Sequence, residues 1–214
     1  MDQQCVSSSN ETREREQMTN SSTVLIVEDE ENLADLFSIW LREQFEVHVA
    51  YNGGDALEIF AEEPIDIVLL DRRMPGLSGT EVLQSIRENG DGQQVIMVTA
   101  VRPTEELASI DVDDYLIKPI DRTKLTRAVE AAELVLTYED SLTELLSLTA
   151  RKATLEANLD RTELEADDRY SDLLQRIREL EKQADTTLER LETDYQIDML
   201  VRDQRIGPQP VEQL

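Results

Sequence analysis

The apolar run Ile67-Val68-Leu69-Leu70 stops abruptly at Asp71, and that junction constrains the chain more than any other stretch. Four consecutive apolar residues fit a strand buried on both faces of a parallel sheet. Within Ile65 to Gly79 (IDIVLLDRRMPGLSG) the run gives way to two arginines, then to Met74, Pro75, Gly76 and Gly79, residues of loops and turns. One carboxylate therefore stands at the carboxyl end of a core strand. Taken alone, Asp71 reads equally well as a turn or helix cap.

Its surroundings favour more than a cap. Val24-Leu25-Ile26-Val27 is a similar run, followed by Glu28, Asp29, Glu30 and Glu31. Leu33, Phe37, Trp40 and Leu41 then recur at helical spacing. Val47 to Ala50 forms a second strand, and Ala56, Ile59 and Phe60 a second helix opened by Asn52-Gly53-Gly54. After Asp71 come a third helix (Val82, Leu83, Ile86) and a fourth strand (Val95 to Val98, ending at Thr99). A short fourth helix is expected at Leu107 to Ile110, and a fifth strand at Tyr115-Leu116-Ile117, ending at Lys118-Pro119. Leu125, Val129 and Ala132 place a fifth helix from about Asp121. Strands alternating with helices over this length imply an α/β architecture, a five-stranded doubly wound parallel sheet.

In such sheets ligands bind outside the carboxyl ends of the strands. Glu28 and Asp29 follow strand one, Asp71 strand three, Thr99 strand four and Lys118 strand five, so all fall on one edge. Three crowded carboxylates need a cation, and hard oxygen ligands in a partly hydrated site suit Mg²⁺. A lysine opposite them balances charge and can hold a phosphoryl oxygen. An aspartate can act as a nucleophile towards phosphorus. The set is suited to accepting a phosphoryl group on Asp71 with metal help.

These motifs, VLIVEDE, LLDRRMPGLSG, VIMVTA and DDYLIKP, resemble the receiver domain of two-component response regulators from roughly Thr23 to Leu136. The resemblance implies a flavodoxin-like fold and phosphorylation of Asp71 by a sensor histidine kinase. It places Asp29, Asp71 and the backbone carbonyl of Arg73 on Mg²⁺, with Glu28 acting through water. It further implies a cis peptide before Pro119 that aims Lys118 into the site, and Thr99 and Tyr115 as a switch pair. Thr99 and Tyr115 also read as ordinary strand residues, and Lys118 as a plain surface lysine. His48 reads as a solvent-facing strand residue. Glu28 stands where the family more commonly has Asp. Arg73 and Val101 offer neither carboxylate nor amide to activate water, so self-dephosphorylation is expected to take hours rather than seconds. An enzyme of the haloacid-dehalogenase phosphatase type would want a second Asp where Arg73 stands, so the chain is read as a switch and not an enzyme.

Charge bounds the remaining classes. With 47 acidic against 21 basic residues the net charge is -26, spread along the whole chain. Such a surface repels nucleic acid and anionic membrane, and suits a salt-rich, halophilic cytosol where counterions screen self-repulsion. The single Cys5 excludes an internal disulfide and agrees with a reducing compartment. No apolar run approaches the ~20 residues of a membrane span, and no signal peptide opens the chain, so a cytoplasmic, soluble protein is expected. Residues 1–21 are polar and aperiodic and are expected to be disordered, with Met18 a candidate alternative start. The receiver is expected over 22–137.

Beyond Leu136 the composition shifts to Leu, Glu, Ala, Arg and Thr, with no Gly or Pro between Pro119 and Gly207. One helical stripe runs Leu142, Leu145, Leu146, Leu148, Leu155; another runs Tyr170, Leu173, Leu174, Ile177, Leu180, Ala184, Leu188, Leu191, Tyr195. The acidic stretch Asp160 to Asp168 supplies caps, with Thr162 and Glu165 fitting a capping box. A helical hairpin or coiled coil over 138–202 is expected, sealed against its own helices or a second copy, and a disordered tail over 203–214. LTARKATLEANL and RYSDLLQRIREL resemble the HalX-type domain found after receivers in halophilic archaea. Residues 139–200 hold 17 acids and 8 bases, a net of −9, without a clustered basic face. Signalling through protein contacts, with a homodimer or another protein as partner, is therefore favoured over direct nucleic-acid binding. The alternative is a transcription regulator acting on DNA directly or through a basal factor.

Overall fold

The computed structural model describes residues 22–90, 92–100 and 111–203. The two expected tails, the short helix at Leu107 to Ile110, and Val101 lie outside the described residues, residue 203 apart.

Five strands form one parallel sheet: β1 (Thr23–Val27), β2 (Glu46–Ala50), β3 (Ile67–Asp71), β4 (Gln94–Thr99) and β5 (Asp114–Ile117). Their order is β2-β1-β3-β4-β5. Every residue of β1, β3 and β4 is buried, which is why these strands read as continuous apolar runs rather than alternating ones. Edge strands β2 and β5 are partly exposed. In register, Val27 lies beside both Ala50 and Leu70, and Asp71 beside Val98. The winding reverses between β1 and β3, so their carboxyl ends flank the crevice where such sheets bind ligands.

Helices α1 (Glu31–Leu41), α2 (Gly53–Glu62) and α3 (Gly79–Asn89) connect the strands. Leu25, Val27, Val68, Leu70, Val95 and Met97 point to one face and pack with Ala56 of α2 and Val82, Leu83 and Ile86 of α3. Alternate strand residues turn to the other face; Ala34, Phe37 and Leu41 of α1, and Leu125 and Val129 further on, are buried outside that cluster. The α2 start is capped by Asn52, whose side chain accepts from the Asp55 N–H at 2.9 Å. His48 departs from expectation: its side chain is only 25% exposed and lies 3.8 Å from Glu46. On an edge strand one sheet face is still covered, so the residue is not simply solvent-facing.

Beyond β5 the chain is helical: α4 (Arg122–Asn158), α5 (Arg161–Glu165) and α6 (Asp168–Asp203). Two compact units, Met1–Glu133 and Leu134–Leu214, divide within α4. In the second unit the covered positions of α4 include Leu134, Tyr138, Ser141, Leu145, Leu148, Lys152 and Leu155, with Val135, Leu136 and Leu142 partly covered beside them. Those of α6 include Tyr170, Leu173, Ile177, Leu180, Ala184, Thr187 and Leu191, with Leu174 partly covered beside Leu173. Both sets step alternately by three and four residues, the seam spacing of paired helices. Tyr170 Oη donates to Glu156 at 2.7 Å, and Arg176 forks onto Glu144 at 2.9 and 2.8 Å, so the segments run antiparallel. Two expectations need correction. The capping box opening α5 is Asp160 with Glu163, whose carboxylate accepts the Asp160 N–H at 3.0 Å, so Thr162 lies inside the helix instead of starting it. Leu146 is 72% exposed and off the buried seam, because the 3-4 register selects Leu145 and Leu148.

Candidate functional site

Each site residue stands where a strand runs out of partners. β1 pairs with β2 up to Ala50, and the Glu28 N–H then donates to the Ala50 carbonyl at 3.1 Å, which holds Glu28 in line with the strand. Asp71 is the last residue of β3; the following Arg72 N–H donates to the Val98 carbonyl at 3.0 Å. Thr99 ends β4, and its carbonyl accepts the Lys118 N–H at 2.8 Å. The α3 start is pressed against this edge. A Cβ on Gly79 would lie 2.2 Å from the Asp71 carbonyl oxygen, so only glycine lets the helix approach so closely. Ser78 and Glu81 form a full capping box there, with Ser78 N–H on the Glu81 carboxylate at 2.9 Å.

These ends come together around a cleft of about 240 Å³ lined by Glu28, Asp29, Asp71, Arg73, Thr99 and Lys118, among others. One carboxylate oxygen each from Glu28, Asp29 and Asp71 lies within 4.8 Å of the others. Lys118 Nζ sits 3.0 and 2.8 Å from the two Glu28 oxygens and 3.2 Å from Asp71 Oδ1. The other Asp71 oxygen accepts the Arg73 N–H at 3.2 Å. Thr99 is buried, and the Lys118–Pro119 peptide is cis. Tyr115 is half-buried and packs against the core cluster. Thus Glu28, Asp29, Asp71, Arg73, Thr99 and Lys118 line one crevice, whereas Tyr115 packs against the core cluster and is not among the lining residues.

Electrostatics follow from burial. Removal from water pushes the Glu28 carboxyl above its usual range, and the nearby Asp71 charge adds to that; the Lys118 hydrogen bond opposes it. Burial alone would lower Lys118, but its Glu28 hydrogen bond and the charges of Glu28 and Asp71 together outweigh that, and the ammonium titrates above ordinary lysine. Burial also raises the Tyr115 phenol, partly offset by Arg72. Three carboxylates and one ammonium leave a net of −2 within a few ångströms, which one divalent cation would neutralise.

Sequence reasoning missed the part played by Gly79 and the two-point grip of Glu28 on Lys118. The Ser78-Gly79-Thr80-Glu81 spacing was a readable capping signal for the first. The second joins residues 90 apart and has no local signature.

Comparison with known proteins agrees with this geometry. A response regulator receiver domain matches residues 24–130, and a HalX domain matches residues 134–202. A Haloferax volcanii protein whose name suggests a transcriptional regulator is 35% identical over 188 residues, 87% of this chain and 32% of that protein. Response regulator ArlR of Staphylococcus saprophyticus is 36% identical over 112 residues, 50% of each chain. The crystal structure of a CheY-like receiver domain protein from Methanospirillum hungatei is similar at a TM-score of 0.53 and 26% identity, over 56% of this chain and 99% of that one. The chain spans a third to a half of the length of these two curated relatives. Among the described residues no helix is long and apolar enough to cross a membrane. The chain belongs to the response regulators, as a receiver domain continued by a HalX domain.

Proposed function

We propose that this chain is the phospho-accepting switch of a phosphorelay, loaded on Asp71 by a sensor histidine kinase and read out through its C-terminal helices. The observation that carries the reading is the meeting of Glu28, Asp29 and Asp71 within 4.8 Å, with Lys118 3.2 Å from Asp71. Asp29, Asp71 and the Arg73 carbonyl would hold Mg²⁺, whose chemistry there is to neutralise charge on the phosphoryl oxygens during transfer. Asp71 supplies the attacking oxygen: a P–O bond forms as the P–N bond to the donor histidine breaks. Lys118 meets a phosphoryl oxygen as a point charge. Thr99 offers a hydroxyl to another, and Tyr115 is the ring whose packing follows it. Among the described residues, Arg73, two positions beyond Asp71, offers neither carboxylate nor amide to activate water at the acyl phosphate, which suits a switch better than an enzyme.

The output reading rests on the second unit. Its acidic balance, net −9 over residues 139–200, and the engagement of Arg176 by Glu144 favour a protein partner, a second copy included, over a nucleic-acid backbone. The second reading, transcription control on DNA or through a basal factor, is favoured by the name of the Haloferax volcanii relative. A salt-rich cytoplasm fits the charge of -26. Incubation with acetyl phosphate and Mg²⁺, followed by phosphate-affinity electrophoresis, tests the core of the proposal: wild type shifts, and an Asp71→Asn protein does not. A gel shift in molar salt separates the two outputs.

A further inference from the structure

We infer that one flank of the C-terminal hairpin is a self-docking surface, on which a second copy of this chain packs antiparallel about a two-fold axis beside Leu142 and Glu181. This rests on the output half of the proposed function, signalling through protein contacts, and assigns the partner and the face it meets.

The two flanks of the α4–α6 seam differ. On one, Arg176 forks onto Glu144 at 2.9 and 2.8 Å, so charge closes that side. On the other stand Val135, Leu142 and Leu146 of α4 with Leu174 and Leu188 of α6, each one position past a seam residue. Leu146 and Leu188 are 72% and 41% exposed, and the other three are only partly covered. Two helices bury one seam between them and leave such a second stripe without cover. Charge points to the occupant. Along α6 this flank reads Leu174, Arg178, Glu181, Asp185, Leu188, in alternating steps of four and three. That order complements its own reverse. Laid antiparallel on a copy centred at Glu181, Leu174 meets Leu188 and Arg178 meets Asp185, each twice by symmetry. Among the described residues neither Arg178 nor Asp185 has a salt bridge or side-chain hydrogen bond within the chain, although acids outnumber bases 47 to 21. The Glu144–Arg176 and Glu156–Tyr170 contacts bracket Glu181 as the α6 residue level with Leu142, so the same axis sets Leu142 against its own copy. Leu146 falls at the rim. The two Glu181 carboxylates approach at the axis, each with Arg178 of its own helix three residues away. From Ser171 to Glu192 the flank runs roughly 30 Å and is two helices, roughly 20 Å, across. Both copies together then bury about 1,200 Å², the lower end of specific interfaces.

Sedimentation velocity of the full, unphosphorylated chain over a concentration series, in about 0.5 M salt to screen the overall negative charge, tests the contact. Wild type is expected to associate to twice the chain mass of 24.4 kDa. Arg178→Asp and Asp185→Arg should each weaken association at least about fivefold, since each turns two attractive pairs into repulsive ones. The swap of both charges together should restore it to within about threefold of wild type. Both side chains are exposed, so the helices form in every variant. General charge repulsion makes the opposite forecast for one of them: Asp185→Arg makes the chain less acidic and would strengthen association. That result overturns the inference. So does a wild type that stays monomeric, association that neither substitution alters, or a double swap no better than the singles. Phosphoryl uptake by the same proteins is read separately. A monomeric chain that still takes up phosphate sinks only the self-docking surface, whereas an associating chain that takes up none sinks the phospho-acceptor reading and leaves the surface standing.

Discussion

Replacing Gly79 by alanine tests how tightly the α3 start is pressed onto the phospho-acceptor strand. The new Cβ would lie 2.2 Å from the Asp71 carbonyl oxygen and 3.0 Å from the Arg72 Cα, both backbone atoms. The first contact is roughly 1 Å short of ordinary van der Waals separation, and no side-chain rotation relieves it. Forcing the two segments apart costs about 3 kcal/mol, the upper part of the overpacking range. Alanine returns at most about 1 kcal/mol through helix propensity, since Gly79 is the first helical residue. Steric cost wins, for a net loss of about 2 kcal/mol. Gly54→Ala is the control: its Cβ meets only the Asn52 side-chain oxygen at 3.2 Å, and a change within about 0.5 kcal/mol is expected. Urea unfolding followed by fluorescence of Trp40, the single tryptophan, reads the receiver unit directly. Mg²⁺ affinity should fall alongside, because the displaced backbone carries Asp71. A Gly79→Ala protein as stable as the Gly54→Ala control would refute the reasoning.

In the hairpin, Ile177→Ala should cost about 2 to 4 kcal/mol as a buried large-to-small change. Leu146→Ala, at a position 72% exposed, should cost less than about 0.5 kcal/mol; equal losses in thermal melts would contradict the assigned seam. Acid should loosen the same unit. Glu144, held low by Arg176, Glu156, held low by Tyr170, and Asp167, held low by Arg169, each have folded values below their unfolded ones. Their contribution is therefore present above the ordinary values of 4.5 and 3.8 and is lost as pH falls through the depressed ones. Helicity at 222 nm that is flat across the acid range would count against these contacts. The phosphorylated chain should decay over hours in Mg²⁺, since Arg73 supplies no water-activating group; a half-life under a few minutes by phosphate-affinity electrophoresis would reverse that expectation.

Much of the site was legible because a parallel sheet collects its strand ends. Val24 to Val27, Ile67 to Leu70 and Val95 to Val98 are buried on both faces, so each reads as an unbroken apolar run, and the polar residue that ends it must fall on a common edge. That logic brought Glu28, Asp29, Asp71, Thr99 and Lys118 together before any coordinates. What it could not reach were relations set by distance across the sheet or between packed helices. The Glu28–Lys118 grip depends on how many strands intervene, and the Gly79 contact on how closely α3 approaches. Local signals also compete: in Asp160 to Asp168 several residues can cap a helix, and Asp160 prevailed over Thr162 because the preceding turn of α4 ends at Asn158. Leu146 was placed on a stripe by its neighbours, yet the three-four register of the paired helices excludes it.

Phosphoryl uptake at Asp71 is where the whole account is most exposed. Wild-type chain incubated with acetyl phosphate should gain one phosphoryl group by intact mass only when Mg²⁺ is present. Asp71→Asn, folded by the Trp40 signal, should gain none. Uptake by the Asn variant equal to wild type, or uptake by wild type with the divalent ion chelated, would contradict it.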